Sequence, residues 1–243
     1  MERYISSNGA LIWTQARGEA IKGTVLMCSG GPGCCDYMSP VSEMLEDAYR
    51  VIRFEQRGCG RSADDGNYDL QTVLQDMEAI RTAYKLDEWI ICGHSWGADL
   101  AMIYALEHTQ RTSAVIFMAG IGELNDRAWI EEYKANKEAR GETHPPMDYP
   151  PNREVNRRCI QGRDEFNRQP KLYAKLAALQ CPVLFLMGEH DIRPRWPVEQ
   201  LRHLLPNNEF RLLPKAAHYL WLDDYEGVRG ALRAFLTIEE NEA

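Results

Sequence analysis

The sequence has no excess of positive charge. Its 28 Lys and Arg residues stand against 36 Asp and Glu residues, which gives a formal net charge of -8 and an isoelectric point near 5.3. Nucleic acids and anionic membrane surfaces usually require a basic patch on the protein that binds them. We therefore expect neither as a partner, and we expect a small molecule or a short peptide as substrate.

Long apolar runs and secretion signals are missing too. No stretch approaches the roughly 20 apolar residues that a membrane-spanning helix needs, and Met1–Ser6 lacks the basic and apolar regions of a signal peptide. The seven cysteines form no Cys-x-x-Cys pair and no Cys/His spacing typical of a zinc site. The sequence thus predicts a reduced, cytoplasmic protein without a metal site.

Apolar, β-branched runs alternate along the chain with segments of helical periodicity. This alternation predicts a mostly parallel sheet with helices on both faces. Eight strands are predicted, at residues 3–6, 11–15, 24–28, 50–54, 89–92, 114–118, 183–187 and 210–213. Helices are predicted at residues 40–47, 69–84, 98–108, 197–205 and 225–236. Residues 123–180, after the sixth strand, are rich in charge and proline, and we interpret them as a small helical cap insertion. Residues 1–122 and 181–243 then form one α/β core domain.

One serine lies between a predicted buried strand and a predicted helix, in Gly93-His94-Ser95-Trp96-Gly97. Gly-x-Ser-x-Gly is a weak signal by itself, because glycine and serine are common residues. Between a strand and a helix, however, it is typical of a nucleophile elbow, a sharp turn that lifts a serine hydroxyl above the sheet edge. Side chains at either glycine are expected to clash with the neighbouring strand and helix. Ser95 is therefore the predicted nucleophile.

A serine hydroxyl needs a base that removes its proton and an acid that orients the base. Asp191 follows the seventh predicted strand and His218 follows the eighth, so both should emerge at the sheet edge that carries Ser95. The chain order Ser, Asp, His is the one expected after such an elbow. Two alternatives stay open, namely His190 as the base and Asp126 as the acid.

The attacked carbonyl would gain negative charge, which two backbone N–H groups usually stabilise. The amide of Trp96, directly after the nucleophile, is one candidate. The other is the amide of Gly31, in a glycine-rich loop that lets the backbone approach a ligand closely. Among the nearby aromatic residues, Tyr37 and Tyr219 are candidates to line the substrate pocket.

Three motifs together resemble the proline iminopeptidase branch of the α/β-hydrolase fold. They are Gly30-Gly31-Pro32-Gly33, Gln56-Arg57-Gly58-Cys59-Gly60-Arg61-Ser62 and Gly93-His94-Ser95-Trp96-Gly97. The resemblance implies an α/β-hydrolase fold with a mostly parallel, eight-stranded sheet. It also implies a catalytic triad and an oxyanion hole, which would consist of Ser95, Asp191 and His218, and of Gly31 and Trp96.

The chain departs from that branch at three places. Ser29 stands where the family usually has His, and Glu55 stands where it usually has Asp. The insertion at residues 123–180 is shorter than the cap with which those peptidases bind a free substrate amine through acidic residues. Glu131 and Glu132 are the candidates for that role here, although their segment is equally typical of a solvated helix face.

These residues predict a hydrolase that cleaves a small ester or amide through an acyl-enzyme on Ser95, with no metal or organic cofactor. A serine at this position excludes the epoxide hydrolase and dehalogenase variants, which need an aspartate there. The triad alone does not separate an aminopeptidase from a carboxylesterase or a thioesterase. The alternative from another class is a binding protein that keeps the fold without catalysis.

Overall fold

Eight strands form one sheet in the computed structural model, which describes residues 1–123 and 126–237. Their bounds are β1 (Glu2–Ser7), β2 (Ala10–Arg17), β3 (Thr24–Cys28), β4 (Arg50–Phe54), β5 (Trp89–His94), β6 (Thr112–Met118), β7 (Val183–Gly188) and β8 (Asn208–Leu213). The spatial order is β1-β2-β4-β3-β5-β6-β7-β8. Strand β2 pairs antiparallel with β1 and β4, and all other neighbours are parallel. The predicted fold class is confirmed.

Helices connect the strands. They are α1 (Ser39–Glu43), α2 (Leu70–Ala83), α3 (Trp96–Glu107), α4 (Arg127–Arg140), α5 (Arg153–Asn167), α6 (Leu172–Ala178), α7 (Trp196–Arg202), α8 (Leu220–Asp223) and α9 (Tyr225–Phe235). Several bounds differ from the sequence prediction; for example, α1 ends at Glu43 rather than at residue 47 and α7 ends at Arg202 rather than at residue 205. Helix α3 begins at Trp96 rather than at Ala98, because the elbow is a single residue long, and the four-residue helix α8 is too short to give a periodic signal.

Two apolar cores lie on opposite faces of the sheet, and β3 contributes to both. Leu26 and Cys28 pack with residues of α2 and α3, whereas Val25 and Met27 pack with residues of α1 and α9. All five residues of β3 are buried. Burial on both faces is typical of a parallel sheet covered by helices, and it explains why the central strands are continuous apolar runs rather than alternating ones.

Helices α4, α5 and α6 follow one another between β6 and β7. Helix α5 packs against the core, because Val155 and Cys159 are buried among residues of α2 and α3. The expected insertion, residues 123–180, contains positions 124 and 125, which lie outside the described residues. So do residues 238–243 of the expected core domain. Within the described ranges, no helix has both the length and the apolar character needed to cross a membrane.

Candidate active site

Ser95 is the one residue between the end of β5 and the start of α3. Its φ of 57° and ψ of -127° are strained for a residue with a side chain. A Cβ atom on Gly93 would lie 1.9 Å from the carbonyl oxygen of Gly97, and a Cβ on Gly97 would lie 2.1 Å from that of Cys28. The turn can therefore form only with glycine at both positions. Its amide is fixed too, since Ser95 N donates to the carbonyl oxygen of Met118 over 2.8 Å.

His218 and Asp191 form a buried pair at the same sheet edge. Asp191 follows β7 and His218 follows β8, and the distance from His218 Nδ1 to Asp191 Oδ2 is 2.7 Å. Because an ionised carboxylate can only accept hydrogen bonds, Nδ1 carries the proton and donates it to Asp191. In neutral His218 the lone pair is then on Nε2, the nitrogen that a general base would use.

Arg193 supports the other oxygen of Asp191, and sequence analysis missed this residue. Its backbone N–H donates to Oδ1 over 2.9 Å and its Nη1 donates to the same oxygen over 3.2 Å. Burial would raise the pKa of Asp191, but the charge and hydrogen bond of His218, together with Arg193, lower it to about 2. Asp191 is therefore a carboxylate throughout the neutral pH range.

Glu142, which follows α4, is the acidic side chain that the structure brings to this pair. Its carboxylate accepts a hydrogen bond from Arg193 Nη1, and its side chain is only 8% exposed. Ligand atoms of Glu142, Asp191 and His218 lie within 4.8 Å of one another, so the three could in principle hold a metal ion. The guanidinium of Arg193 already supplies a positive charge to both carboxylates, which disfavours a second cation there.

The loop after β3 passes directly over Ser95. A Cβ on Gly30 would lie 2.6 Å from the Cβ of Ser95, and Gly31 is the next residue of the loop. Trp96 is the first residue of α3, and the first amides of a helix have no acceptor within the helix. The two amides expected to form the oxyanion hole thus come from segments that flank Ser95.

A chain of hydrogen bonds connects this loop to the segment of His218. Gly30 N donates to the hydroxyl of Tyr37 over 2.6 Å, and that hydroxyl lies 2.8 Å from Nδ1 of His94. His94 Nε2 donates to the carbonyl oxygen of His218 over 2.9 Å. Complete burial, and to a lesser degree the charge of His218, lower the pKa of His94 well below its ordinary value. The ring is therefore neutral, with its proton on Nε2 and an accepting Nδ1.

Aromatic rings pack around His94. Tyr219 lies 5.0 Å from the His94 ring and 5.1 Å from the His218 ring, measured between centroids, and Tyr37 stacks on Trp221 at 6.1 Å. Tyr37 and Tyr219 are both nearly buried. Of the two predicted pocket residues, Tyr37 thus lies beneath the loop with its hydroxyl engaged, whereas Tyr219 lies beside the ring of His218.

The remaining candidates lie elsewhere. Asp126 accepts from Trp129 N over 2.9 Å and caps α4, and His190 is exposed. Glu131 and Glu132 are exposed on α4, where Glu131 pairs with the Arg127 guanidinium. Glu142 is instead the acidic residue of the expected insertion that lies beside the Asp191–His218 pair.

The two substituted motif positions support loops. Ser29 Oγ donates to Asp36 Oδ1 over 3.3 Å. The Glu55 carboxylate accepts from the Asp36 backbone over 3.1 Å and from Arg61 Nη2 over 2.7 Å. Both residues therefore hold the loops that follow β3 and β4.

Another buried carboxylate lies one helical turn after Ser95. Asp99 is 5% exposed; its Oδ1 accepts from Gly122 N over 3.3 Å, and its Oδ2 lies 3.7 Å from Arg163 Nη1. Burial raises the pKa of Asp99 to about 7 despite the opposing charge of Arg163. Burial and the proximity of Asp99 also raise the pKa of Glu123 to about 7.

Replacing Asp99 by asparagine should flatten the pH dependence of stability. A carboxyl group with a pKa near 7 in the folded state and about 3.9 in the unfolded state binds a proton on folding between these values. Wild-type stability should therefore fall as pH rises from 5 to 8, by about 2 to 3 kcal/mol from this group. Urea unfolding at both pH values measures the difference. Asp164→Asn, which removes a more exposed partner of Arg163, should keep the wild-type dependence, and parallel curves for Asp99→Asn and the wild type would contradict the assignment.

A sequence model of the alpha/beta hydrolase fold family matches residues 23–145, just over half of the chain. The chain belongs to the α/β-hydrolase fold family. It is 33% identical over 133 residues to a proline iminopeptidase of Xylella fastidiosa (strain 9a5c), an alignment that covers 53% of this chain but only 41% of that relative. A proline iminopeptidase of Heyndrickxia coagulans is 26% identical over 97% of this chain and 98% of its own length.

Solved structures share the same architecture. A thermophilic esterase from Thermogutta terrifontis superposes with a TM-score of 0.78 at 21% identity, with 98% of each chain covered. The proline iminopeptidase of Mycobacterium smegmatis gives a TM-score of 0.72 at 19% identity, again with 98% of each chain covered. At such identities the likeness extends to the fold alone.

Proposed function

We propose that this α/β-hydrolase family member is a serine hydrolase that cleaves a small ester or amide through an acyl-enzyme on Ser95. His218 Nε2 takes the proton of the Ser95 hydroxyl as Oγ attacks the substrate carbonyl. The amides of Gly31 and Trp96 stabilise the oxyanion, and His218 returns the proton to the leaving group. Water, deprotonated by His218, then releases the acid and frees Ser95.

The observation that carries this proposal is the pairing of a strained Ser95 with a buried Asp191–His218 couple at one sheet edge. Strain at a single non-glycine residue is typical of functional sites. The hydrogen bond of 2.7 Å between His218 Nδ1 and Asp191 Oδ2 orients the imidazole and fixes its tautomer. A site used only for binding would require neither feature.

The proposed substrate is small, and residues 123–180 are proposed to act as its cap. Similarity to proline iminopeptidases along nearly the whole chain favours an amide with a free N-terminal amine. A carboxylesterase is the second candidate, because the same nucleophile, base and oxyanion hole serve esters and amides alike. A cytoplasmic location is part of the same proposal.

Turnover of matched chromogenic substrates tests both candidates. Proline 4-nitroanilide, its N-acetylated form and 4-nitrophenyl acetate should be compared at equal enzyme concentration, before and after treatment with a fluorophosphonate. We expect ester turnover that the fluorophosphonate abolishes. If the protein acts as an iminopeptidase, the free-amine anilide should react at least about tenfold faster than the blocked one, because a charged amine held at the site contributes binding energy.

The outcomes separate the candidates. Equal rates for the free and blocked anilides would remove the iminopeptidase function and leave the carboxylesterase. No turnover of any substrate, combined with no labelling of the folded protein by the fluorophosphonate, would overturn the hydrolase proposal itself.

A further inference from the structure

The loop proposed to hold the oxyanion is fixed by the first turn of α5. Asn156 Nδ2 donates to the carbonyl oxygens of Gly31 and Pro32, over 2.8 and 2.9 Å. Asn152, the N-cap of α5, donates its backbone N–H to the carbonyl of Gly33 over 2.8 Å. Three successive carbonyl groups of the loop thus accept hydrogen bonds from one helical turn.

Such support matters because the loop has little conformational preference of its own. Gly31 has a φ of 124° and Gly33 a φ of 91°, and glycine is free to leave these conformations for many others. The Gly31 amide lies between two anchors: the Gly30 N–H, which the Tyr37 hydroxyl accepts, and the Gly31 carbonyl, which Asn156 holds. Fixing the groups on both sides fixes the direction of the amide between them.

Asn152 and Asn156 also bring the insertion into close contact with the loop. A Cβ on Gly33 would lie 2.3 Å from the carbonyl oxygen of Asn152, and Asn152 Nδ2 donates to the carbonyl of Gly58 over 3.0 Å. Helix α5 therefore spans the loops that follow β3 and β4. Neither asparagine belongs to a motif of the core, and nothing in the sequence spacing connects them to Ser95.

We propose that Asn156 is a positioning residue that holds the Gly31 amide in the direction required to stabilise the oxyanion. This inference rests on the serine hydrolase function proposed above. It gives the insertion a role in transition-state stabilisation that is separate from any role in covering the substrate. The chemistry is that of a carboxamide which bridges two adjacent carbonyl groups, so that the residue carrying the Gly31 amide is held on its C-terminal side.

Two substitutions at this position test the proposal. Asn156→Leu removes the donor without adding charge, and Asn156→Asp turns a carboxylate oxygen toward the two carbonyl groups. Aspartate in the first turn of a helix interacts favourably with the helix dipole, so the second variant should keep α5 intact. We expect kcat for 4-nitrophenyl acetate to fall about 10- to 100-fold in both variants with KM changed less than about threefold, because a small misplacement of a catalytic group is that costly.

Binding of a boronic acid gives a readout that a purely structural role would not move. A boronic acid forms a tetrahedral adduct with a nucleophilic serine, and one of its oxygens occupies the oxyanion position. We expect its affinity to fall by about the same factor as kcat, with the melting temperature of Asn156→Asp lowered no more than that of Asn167→Asp.

Asn167→Asp is the matched control, at the opposite end of α5. Asn167 Nδ2 also donates to a backbone carbonyl, that of Glu123, over 3.2 Å. A negative charge at a helix C-terminus is mildly destabilising, so this variant should lose some stability while kcat and boronate affinity stay within about twofold of the wild type.

Wild-type kcat and boronate affinity in both Asn156 variants would overturn the positioning role and leave the hydrolase proposal intact. Equal losses in the Asn156 variants and in Asn167→Asp would also overturn it, since they would reflect general damage to α5. A wild-type protein that neither reacts with a fluorophosphonate nor turns over an ester would overturn the proposed function, and this inference with it.

Discussion

Replacing Ser95 by alanine should abolish labelling by a fluorophosphonate and lower ester turnover on the order of 10⁶-fold. Removal of the nucleophile lowers kcat by about this factor in a serine protease. The change removes the Oγ atom that would form the acyl-enzyme. Alanine has a Cβ like serine, so the backbone at a φ of 57° is strained to a similar extent in both, and we expect the fold to persist. Gel fluorescence after labelling and initial rates with 4-nitrophenyl acetate measure the two effects.

Ser6→Ala is the matched control, because Ser6 is exposed on the edge strand β1. It should be labelled and should turn over ester at the wild-type rate. Full labelling of Ser95→Ala would mean that another residue is the nucleophile. If neither the wild type nor Ser6→Ala is labelled, the protein uses its fold for binding rather than for catalysis.

Replacing Asp191 by asparagine should lower kcat on the order of 10⁴-fold while the fold stays intact. Both oxygens of Asp191 are engaged, one by His218 Nδ1 and one by Arg193. The Arg193 N–H groups require an oxygen, so the amide nitrogen of asparagine would face His218. A donor in that place favours the tautomer with the proton on Nε2, and His218 can then no longer accept the proton of Ser95. Initial rates and thermal unfolding, measured side by side, separate lost chemistry from lost stability.

Asp126→Asn provides the comparison for this variant. Asp126 is the other carboxylate that the sequence offers as the acid, and asparagine caps a helix as well as aspartate does. We expect near-normal turnover and an unchanged melting temperature. Near-normal turnover in Asp191→Asn together with a large loss in Asp126→Asn would assign the acid to Asp126.

The central strands and the elbow could be predicted because local sequence determines them. Strand β3 is buried on both faces and therefore appears as an unbroken apolar run, and Gly93 and Gly97 are fixed by contacts of the turn with its immediate neighbours. The positions of Asp191 and His218 follow from the rule that parallel strands end at a common edge. Each of these inferences needs only a few consecutive residues and the topology.

The residues that surround the pair could not be predicted in this way. Glu142 meets Arg193, 51 positions away, only because the segment after α4 folds back onto the loop after β7. Asn156 reaches Gly31, 125 positions away, through the packing of α5. The sequence does indicate that Asp99 makes a buried polar contact, because it is an acidic residue in an otherwise apolar helix. It does not indicate that the partner is Arg163, which lies on another helix.

The neutral ring of His94 has a consequence for redesign of the elbow. Its two nitrogens face opposite groups, the hydroxyl of Tyr37 and the main chain of His218. His94, the residue before Ser95, therefore links the glycine-rich loop, through Tyr37, to the segment that carries His218. A redesigned elbow with a residue other than histidine at position 94 would lose both hydrogen bonds, so Tyr37 and the segment of His218 would have to be redesigned together with it.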